Sequence, residues 1–206
     1  MDALKISERF LSVQGEGLHA GRRAYFIRLF GCPVRCPWCD TKYAWAGSPA
    51  ERLGAERLAA DAAASGAEIA VITGGEPCAQ NLAPLLEALA KRNVAAHLET
   101  SGVLPISETD SARFEWVAAS PKLFAPPLAE SLARADELKF IISDPAEIPL
   151  YAPLAEAAPR AKAVWLNPEW GKSADKNLLA AICGFVQSEG GRFRAGWQLH
   201  KCYFAR

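Results

Sequence analysis

Net charge is the first thing this sequence lacks: 23 Lys and Arg are matched by 23 Asp and Glu over 206 residues, for a formal charge of zero. A chain of that kind is not held on nucleic acid or an anionic membrane mainly by a basic field, although the balance says nothing against a small anionic substrate. Also missing is any run of about 18 uncharged apolar residues, so no transmembrane span is expected. The opening MDALKISERF has no apolar stretch behind a basic start; no secretory signal is expected, and the protein is read as cytoplasmic. No repeat of fixed period, no low-complexity tract beyond an Ala-rich helix and no linker divides the chain, so residues 1–206 are expected to form one domain. With 50% hydrophobic residues a core can form without disulfides, since a chain of this size buries roughly 70% of its unfolded surface.

What is present is an alternation of short β-rich runs with helical ones. Strands are expected at Ala24 to Leu29, Glu68 to Thr73, Val94 to Glu99, Trp116 to Ala119, Leu138 to Ile142 and Val164 to Asn167, with a last one near Trp197 to Leu199. Ser48-Pro49-Ala50-Glu51 reads as a capping box with proline at the first helical position, opening a helix to about Ser65 with Gly66 past its end. Further helices are expected over Leu82 to Arg92 and from about Ser173, where Leu178, Leu179, Ile182, Phe185 and Val186 recur at helical spacing. Such alternation implies a parallel sheet with crossover helices. The proline-rich stretch from Ser120 to Ala135 predicts one curtailed crossover, hence an α/β open, partial (β/α) barrel of about six parallel strands with reduced helical coverage. In that architecture the residues just after each strand carry the site.

After the first expected strand, Cys32, Cys36 and Cys39 fall at a C-x3-C-x2-C spacing, while Cys78, Cys183 and Cys202 are scattered and read as small buried residues. A reducing compartment argues against disulfides. Structural zinc wants four closed ligands, usually as two C-x2-C pairs, and here no His or fourth Cys stands nearby. A 4Fe-4S cube held by three thiolates keeps one iron open to substrate or cofactor. A fourth thiolate from Cys78 would close that corner. Following later strands come Thr73-Gly74-Gly75-Glu76-Pro77, Glu99-Thr100-Ser101-Gly102 and Ser120-Pro121-Lys122. Each alone is an ordinary strand end, where Ser, Thr and Gly cap helices and turn the chain. Their order along one chain is the specific feature.

The cysteine spacing with Trp38 before the last cysteine, followed by GGEP, resembles the radical S-adenosylmethionine superfamily. Glu8 to Trp45, with its Gln14-Gly15-Glu16-Gly17, together with TGGEP, ETSG, SPK, Glu137-Leu138-Lys139-Phe140 and Gln198-Leu199-His200-Lys201, resembles the 7-carboxy-7-deazaguanine synthases over almost the full chain. The resemblance implies conversion of 6-carboxy-5,6,7,8-tetrahydropterin to 7-carboxy-7-deazaguanine with loss of ammonia, a step towards queuosine and other deazapurines. Hydrogen would be abstracted from C6 by an adenosyl radical, the ring contracted, and S-adenosylmethionine regenerated. It further implies Mg²⁺, an electron donor such as flavodoxin or ferredoxin, and a homodimer.

Carried over residue by residue, the resemblance assigns the cluster to Cys32, Cys36 and Cys39 and the Mg²⁺ position to Thr41. Trp38, Cys39, Asp40, Gly75, Glu99, Ser101, Ser120, Pro121 and Lys122 would hold S-adenosylmethionine. Val13, Gln14, Gly15, Glu16, Arg28, Thr73 and His200 would bind the pterin, Arg28 as partner of its carboxylate. Two readings compete at single positions: Arg28 as an interior ion pair, and His200 as the cap of a sheet edge. The chain departs from the family pattern at Asn167-Pro168-Glu169-Trp170, where many members carry glutamine before proline, and it ends in Arg206, whose terminal carboxylate would be the substrate contact. Two rival functions share the cysteine motif: a glycyl-radical-enzyme activating enzyme, and a non-catalytic iron-sulfur or electron-transfer module.

Overall fold

A computed structural model describes residues 3–107, 110 and 112–205. Among these residues nine strands form one sheet: β1 (Leu4–Val13), β2 (Arg23–Leu29), β3 (Glu51–Leu53), β4 (Ile69–Gly74), β5 (Ala95–Thr100), β6 (Trp116–Ala119), β7 (Glu137–Ile142), β8 (Ala163–Pro168) and β9 (Phe193–Ala195), in spatial order 3-1-2-4-5-6-7-8-9. From β2 to β9 every pairing is parallel, whereas β1 pairs antiparallel with both β2 and β3. The mixed sheet is therefore larger than the six strands expected, and its edges are β3 and β9.

The surplus strands have a physical origin. Pairing of β1 with β2 in a hairpin register, from Ile6 opposite Leu29 to Val13 opposite Arg23, leaves the other edge of β1 open. An unpaired edge is a liability. Glu51 to Leu53 cover it, which overturns the helix expected from Ser48: Glu51 joins a strand, its carboxylate accepting a hydrogen bond from Arg9 at 3.2 Å. The helix begins only after Gly54, as α1 (Ala55–Ala64). Near the C-terminus the expected strand at Trp197 to Leu199 is also corrected. The strand lies earlier, at β9, and Leu199–Cys202 form a short helix.

Strand alternation sorts the sheet into two chemically different faces. One face carries Tyr25, Ile27, Leu29, Ile72 and Leu98 against Leu58, Leu85, Leu86 and Leu89 of α1 and α2 (Ala83–Ala90), all buried. Leu138, Phe140, Ile142, Val164 and Leu166 do the same farther along, against α3 (Ala129–Arg134), α4 (Ala152–Glu156) and α5 (Lys176–Glu189). Each fully buried Leu, Ile or Phe there is worth about 1.5–3 kcal/mol over its exposed state. The intervening residues, among them Arg28, Thr73, His97, Glu99, Trp116, Glu137, Lys139 and Trp165, necessarily face the other way. That polar inner face is the one available for chemistry. The curtailed crossover is present as the six-residue α3, and β6 and β7 share only the pairs Ala118–Glu137 and Ala119–Leu138. Cys183 and Cys202 are exposed rather than buried, because Cys183 sits on the solvent side of α5 and Cys202 on the terminal helix. Among the described residues no helix is long and apolar enough to cross a membrane.

Candidate active site

The loop after β2 is closed at its base by two backbone bonds, Gly31 N–H to Ala44 C=O at 2.8 Å and Cys32 N–H to Trp45 C=O at 3.2 Å. Between these ties the chain turns at Arg35, which takes the left-handed φ of 55°, and again where Cys39 N–H reaches Cys36 C=O at 3.0 Å. Both turns keep Cys32, Cys36 and Cys39 half-buried around one hollow. Burial pushes the Cys36 thiol up, against the opposing pull of Lys122. The Cys39 sulfur accepts from Thr41 N–H at 3.4 Å and lies the same distance from Thr41 Oγ1.

The Gly-Gly-Glu-Pro turn after β4 packs directly on this loop. A Cβ at Gly75 would stand 2.0 Å from Gly31 O and 3.0 Å from Cys32 Cβ, so only glycine lets the two backbones approach this closely. Glu76 N–H donates to Gly31 C=O at 2.7 Å, and the Glu76 carboxylate, 1% exposed, accepts from Thr100 Oγ1 at 2.7 Å, Ser101 N–H at 2.8 Å, Ser101 Oγ at 2.5 Å and Cys78 N–H at 3.2 Å. Glu76 thus joins three neighbouring strand ends, its amide reaching the loop after β2 and its buried carboxylate the end of β5.

Opposite the thiols, the hairpin loop between β1 and β2 folds across the inner face. Gln14 closes its base, donating its N–H to Arg22 C=O and accepting from Gly21 N–H, both at 2.8 Å. Glu16 then meets Lys139 of β7 at 2.9 Å and accepts from Gln198 Nε2 at 2.7 Å, while Lys139 also donates to Glu99, which accepts from Gln14 Nε2 at 3.0 Å. Burial opposes ionisation of Glu16, but Lys139 and the Gln198 hydrogen bond outweigh it and hold this carboxyl at about 2. Burial raises Glu99, with Lys139 opposing and Glu16 adding to the rise, so of the two carboxyls Glu99 is the one biased towards the protonated form. His200 seals the loop from the C-terminal side, its ring occupying the space a Cβ on Gly15 would need, 2.0 Å from Nδ1.

These walls enclose a cleft of about 290 Å³, close to the lower bound for ligand sites. Nearly all the residues singled out from the sequence line it: the three cysteines, Trp38, Asp40, Thr41, Gly75, Glu99, Ser101, Ser120, Lys122, Val13, Gln14, Gly15, Glu16, Arg28, Thr73 and His200. Pro121 does not line it, being buried beside Lys122, whose ammonium donates to both the carbonyl and the hydroxyl of Ser120. Arg206 lies outside the described residues. Arg28 lines the cleft while its Nε donates to Glu8 at 2.7 Å, which also accepts from Tyr43 at 2.6 Å; the interior ion pair is real. Glu99, which also lines the cleft, accepts from Gln14 Nε2 and pairs with Lys139. Lys139, Gln198 and Lys201 also line the cleft without having been singled out, although all three fall inside motifs the resemblance had marked.

Among the described residues no three His, Cys, Asp or Glu side chains are near enough to share a single metal ion, which disfavours zinc. A cube binds each thiolate to a different iron, so wider-spaced thiols that still line one hollow fit it.

No family model matches the chain. It is 36% identical over 197 residues to the 7-carboxy-7-deazaguanine synthase of Synechocystis, covering 95% of this chain and 90% of that protein. The chain belongs to the 7-carboxy-7-deazaguanine synthase family. The member from Escherichia coli K12 is likewise 36% identical, across 86% of this chain and 90% of its own. The crystal structure of QueE from Escherichia coli superposes with a TM-score of 0.79 at 29% identity, covering 96% of this chain and 95% of that one.

Proposed function

We propose that this chain is a 7-carboxy-7-deazaguanine synthase converting 6-carboxy-5,6,7,8-tetrahydropterin to 7-carboxy-7-deazaguanine with loss of ammonia. The observation that carries the reading is the single cleft in which a three-thiol loop faces a buried Glu16–Lys139–Glu99 set. When bound, a 4Fe-4S cluster with S-adenosylmethionine supplies a radical able to take hydrogen from C6 of the pterin.

The protein's own part is to hold and orient. Cys32, Cys36 and Cys39 would hold the cluster, and Trp38, Asp40, Gly75, Ser101, Ser120 and Lys122 the adenosyl cofactor. Backbone and amide groups of Val13, Gln14 and Gly15 would orient the pterin. The Glu16 carboxylate is an acceptor for its amino groups and the Arg28 guanidinium, with Thr73 and His200 beside it, a partner for its carboxylate. Glu99, paired with Lys139 and accepting from Gln14 Nε2, would hold Gln14 in place beside the substrate. Thr41 would give a hydroxyl to Mg²⁺, a hard cation that takes oxygen ligands and retains several waters. The sheet is read as the core of a reduced, partial barrel, the chain as one domain working as a homodimer in the cytoplasm, and the reductant as a flavodoxin or ferredoxin.

Anaerobic turnover of the reconstituted, reduced protein with S-adenosylmethionine, Mg²⁺ and the pterin tests the reading. Multiple turnovers to 7-carboxy-7-deazaguanine by mass, without net loss of S-adenosylmethionine, are expected. Release of 5′-deoxyadenosine with no deazapurine would overturn the assignment and favour a glycyl-radical activating enzyme.

A further inference from the structure

Glu137 is a buried carboxylate, 2% exposed, that none of the proposed chemistry uses. It stands on the inner face of β7, two residues before Lys139, in a setting made wholly of donors. Its Oε1 accepts from Trp116 Nε1 at 2.9 Å; its Oε2 accepts from Trp165 Nε1 at 2.8 Å and from the backbone N–H of Leu18 at 2.8 Å. Two indoles from the flanking strands β6 and β8 therefore fix the carboxylate, and the fixed carboxylate takes hold of the hairpin loop. The loop comes so close that a Cβ on Gly17, whose φ is +73°, would lie 2.3 Å from Glu137 Oε1. Immediately beyond, His19 stacks edge-on against His97 and Trp116 at 4.5 and 4.6 Å, closing the same pocket.

The geometry points to Glu137 as a positioning residue for the substrate-facing segment Gln14–Glu16. Strand β7 grips the loop at two consecutive inner positions: Lys139 through the side chain of Glu16, and Glu137 through the backbone at Leu18. The bonds of Gln14 to Arg22 and Gly21, of Leu199 to Gly15 and of Gln198 and Lys139 to Glu16 hold residues 14–16, whereas the segment that follows Glu16 is tied down to the sheet by Glu137 at Leu18, which fixes the path by which the loop leaves Glu16. An amide cannot replace the carboxylate, because its NH₂ would face either an indole N–H or the Leu18 N–H, donor against donor. Glu137 contacts no reacting group, and its influence on turnover passes through residues 14–16.

Two readouts test this, and only the second rests on the proposed function. In the full chain without cofactors, Glu137→Gln and Gly17→Ala are each expected to speed amide hydrogen exchange of residues 15–19 by about tenfold or more while β4 and β5 keep wild-type protection. In the reconstituted enzyme, Glu137→Gln is expected to raise KM for the pterin by about tenfold with kcat changed less than about threefold and KM for S-adenosylmethionine unmoved. Should Glu137→Gln fail to fold, Trp165→Phe, which keeps the ring and deletes one donor, is expected to give the same two effects at smaller size. Wild-type exchange at residues 15–19 in the variants overturns the positioning role, as does a fall in kcat at constant KM. A wild-type enzyme that makes no deazapurine sinks the functional reading alone and leaves the exchange result to decide Glu137.

Discussion

Lys139 Nζ lies 2.9 Å from Glu16 Oε2, joining two residues 123 positions apart across the cleft floor, with 5% and 15% of their side chains exposed. The same ammonium serves Glu99, so one cation is shared by two carboxyls away from bulk water. Such a pair is weak evidence of stability, since desolvation offsets the attraction, yet removing one member is costly because the other is left buried and uncompensated. The arrangement therefore acts more as a fixed template for the loop than as a source of folding energy.

Lys139→Met is expected to destabilise the protein by about 3–5 kcal/mol, since it strands two buried carboxylates. Wild-type Glu16, depressed to about 2 by Lys139 against its burial, contributes stability that is present above its ordinary value near 4.5 and is lost as pH falls towards 2. In the variant both carboxyls are raised by burial, and a raised group contributes stability below its unfolded value that is lost as pH rises through the folded one. The gap in Tm between wild type and variant should accordingly be wider at pH 8 than at pH 5. A gap that does not change with pH would show that Lys139 is not what keeps Glu16 ionised.

Glu76 offers a test of how the strand ends are joined. Glu76→Ala leaves the hydroxyls of Thr100 and Ser101 and the amides of Ser101 and Cys78 without their acceptor, at a cost of about 3 kcal/mol. Because the turn carrying Gly75 is registered on the cysteine loop, KM for S-adenosylmethionine should rise as well. Thermal melts and initial rates at varied cofactor decide it; an unchanged melt would mean that solvent replaces the carboxylate freely.

Cysteine variants separate ligand from bystander. Cys78 is held away from the cleft, and burial followed by the charge of Glu76 pushes its thiol up to about 12, an environment that disfavours a thiolate. Iron per protein after anaerobic reconstitution should fall sharply in Cys32→Ala, Cys36→Ala and Cys39→Ala and stay at the wild-type level in Cys78→Ala. Equal loss in all four would remove the three-thiol assignment.

Much of this was legible in the sequence, because the parallel strands and the residues just past them report themselves locally, by alternation and by turn chemistry. Trp116–Ala119 falls on its expected bounds, and Gly66 stops α1 where expected. The failures concern pairings across distance. Ser48 to Glu51 satisfied every local rule for a helix start, yet the open edge of β1, set by residues some forty-five positions earlier, claimed Glu51 for a strand. Lys139 sits in a run, Glu137 to Ile142, whose six residues read simply as a strand; its partner Glu16 is fixed only once the hairpin loop folds over the inner face. Arg28 shows the converse, a residue whose interior ion pair with Glu8 leaves it lining the cleft, so that the pairing does not remove it from the site.

The proposed Mg²⁺ site at Thr41 can be tested separately from cluster binding. Thr41 is 9% exposed, lines the cleft, and places both its amide and its hydroxyl 3.4 Å from the Cys39 sulfur. A single hydroxyl is too few ligands for a hard cation, so substrate oxygens and water would have to complete the shell, and the cation should bind only with substrate present. Thr41→Val keeps the shape and removes the oxygen. Stimulation of turnover by Mg²⁺ should then disappear while iron content and S-adenosylmethionine cleavage stay within about twofold of wild type, the pattern of a lost substrate-stage interaction. If iron is lost along with the stimulation, the hydroxyl serves Cys39 and the cluster loop; if stimulation persists, the cation is held elsewhere in the cleft, and Asp40, the neighbouring carboxylate paired with Lys201 at 3.0 Å, becomes the next residue to change.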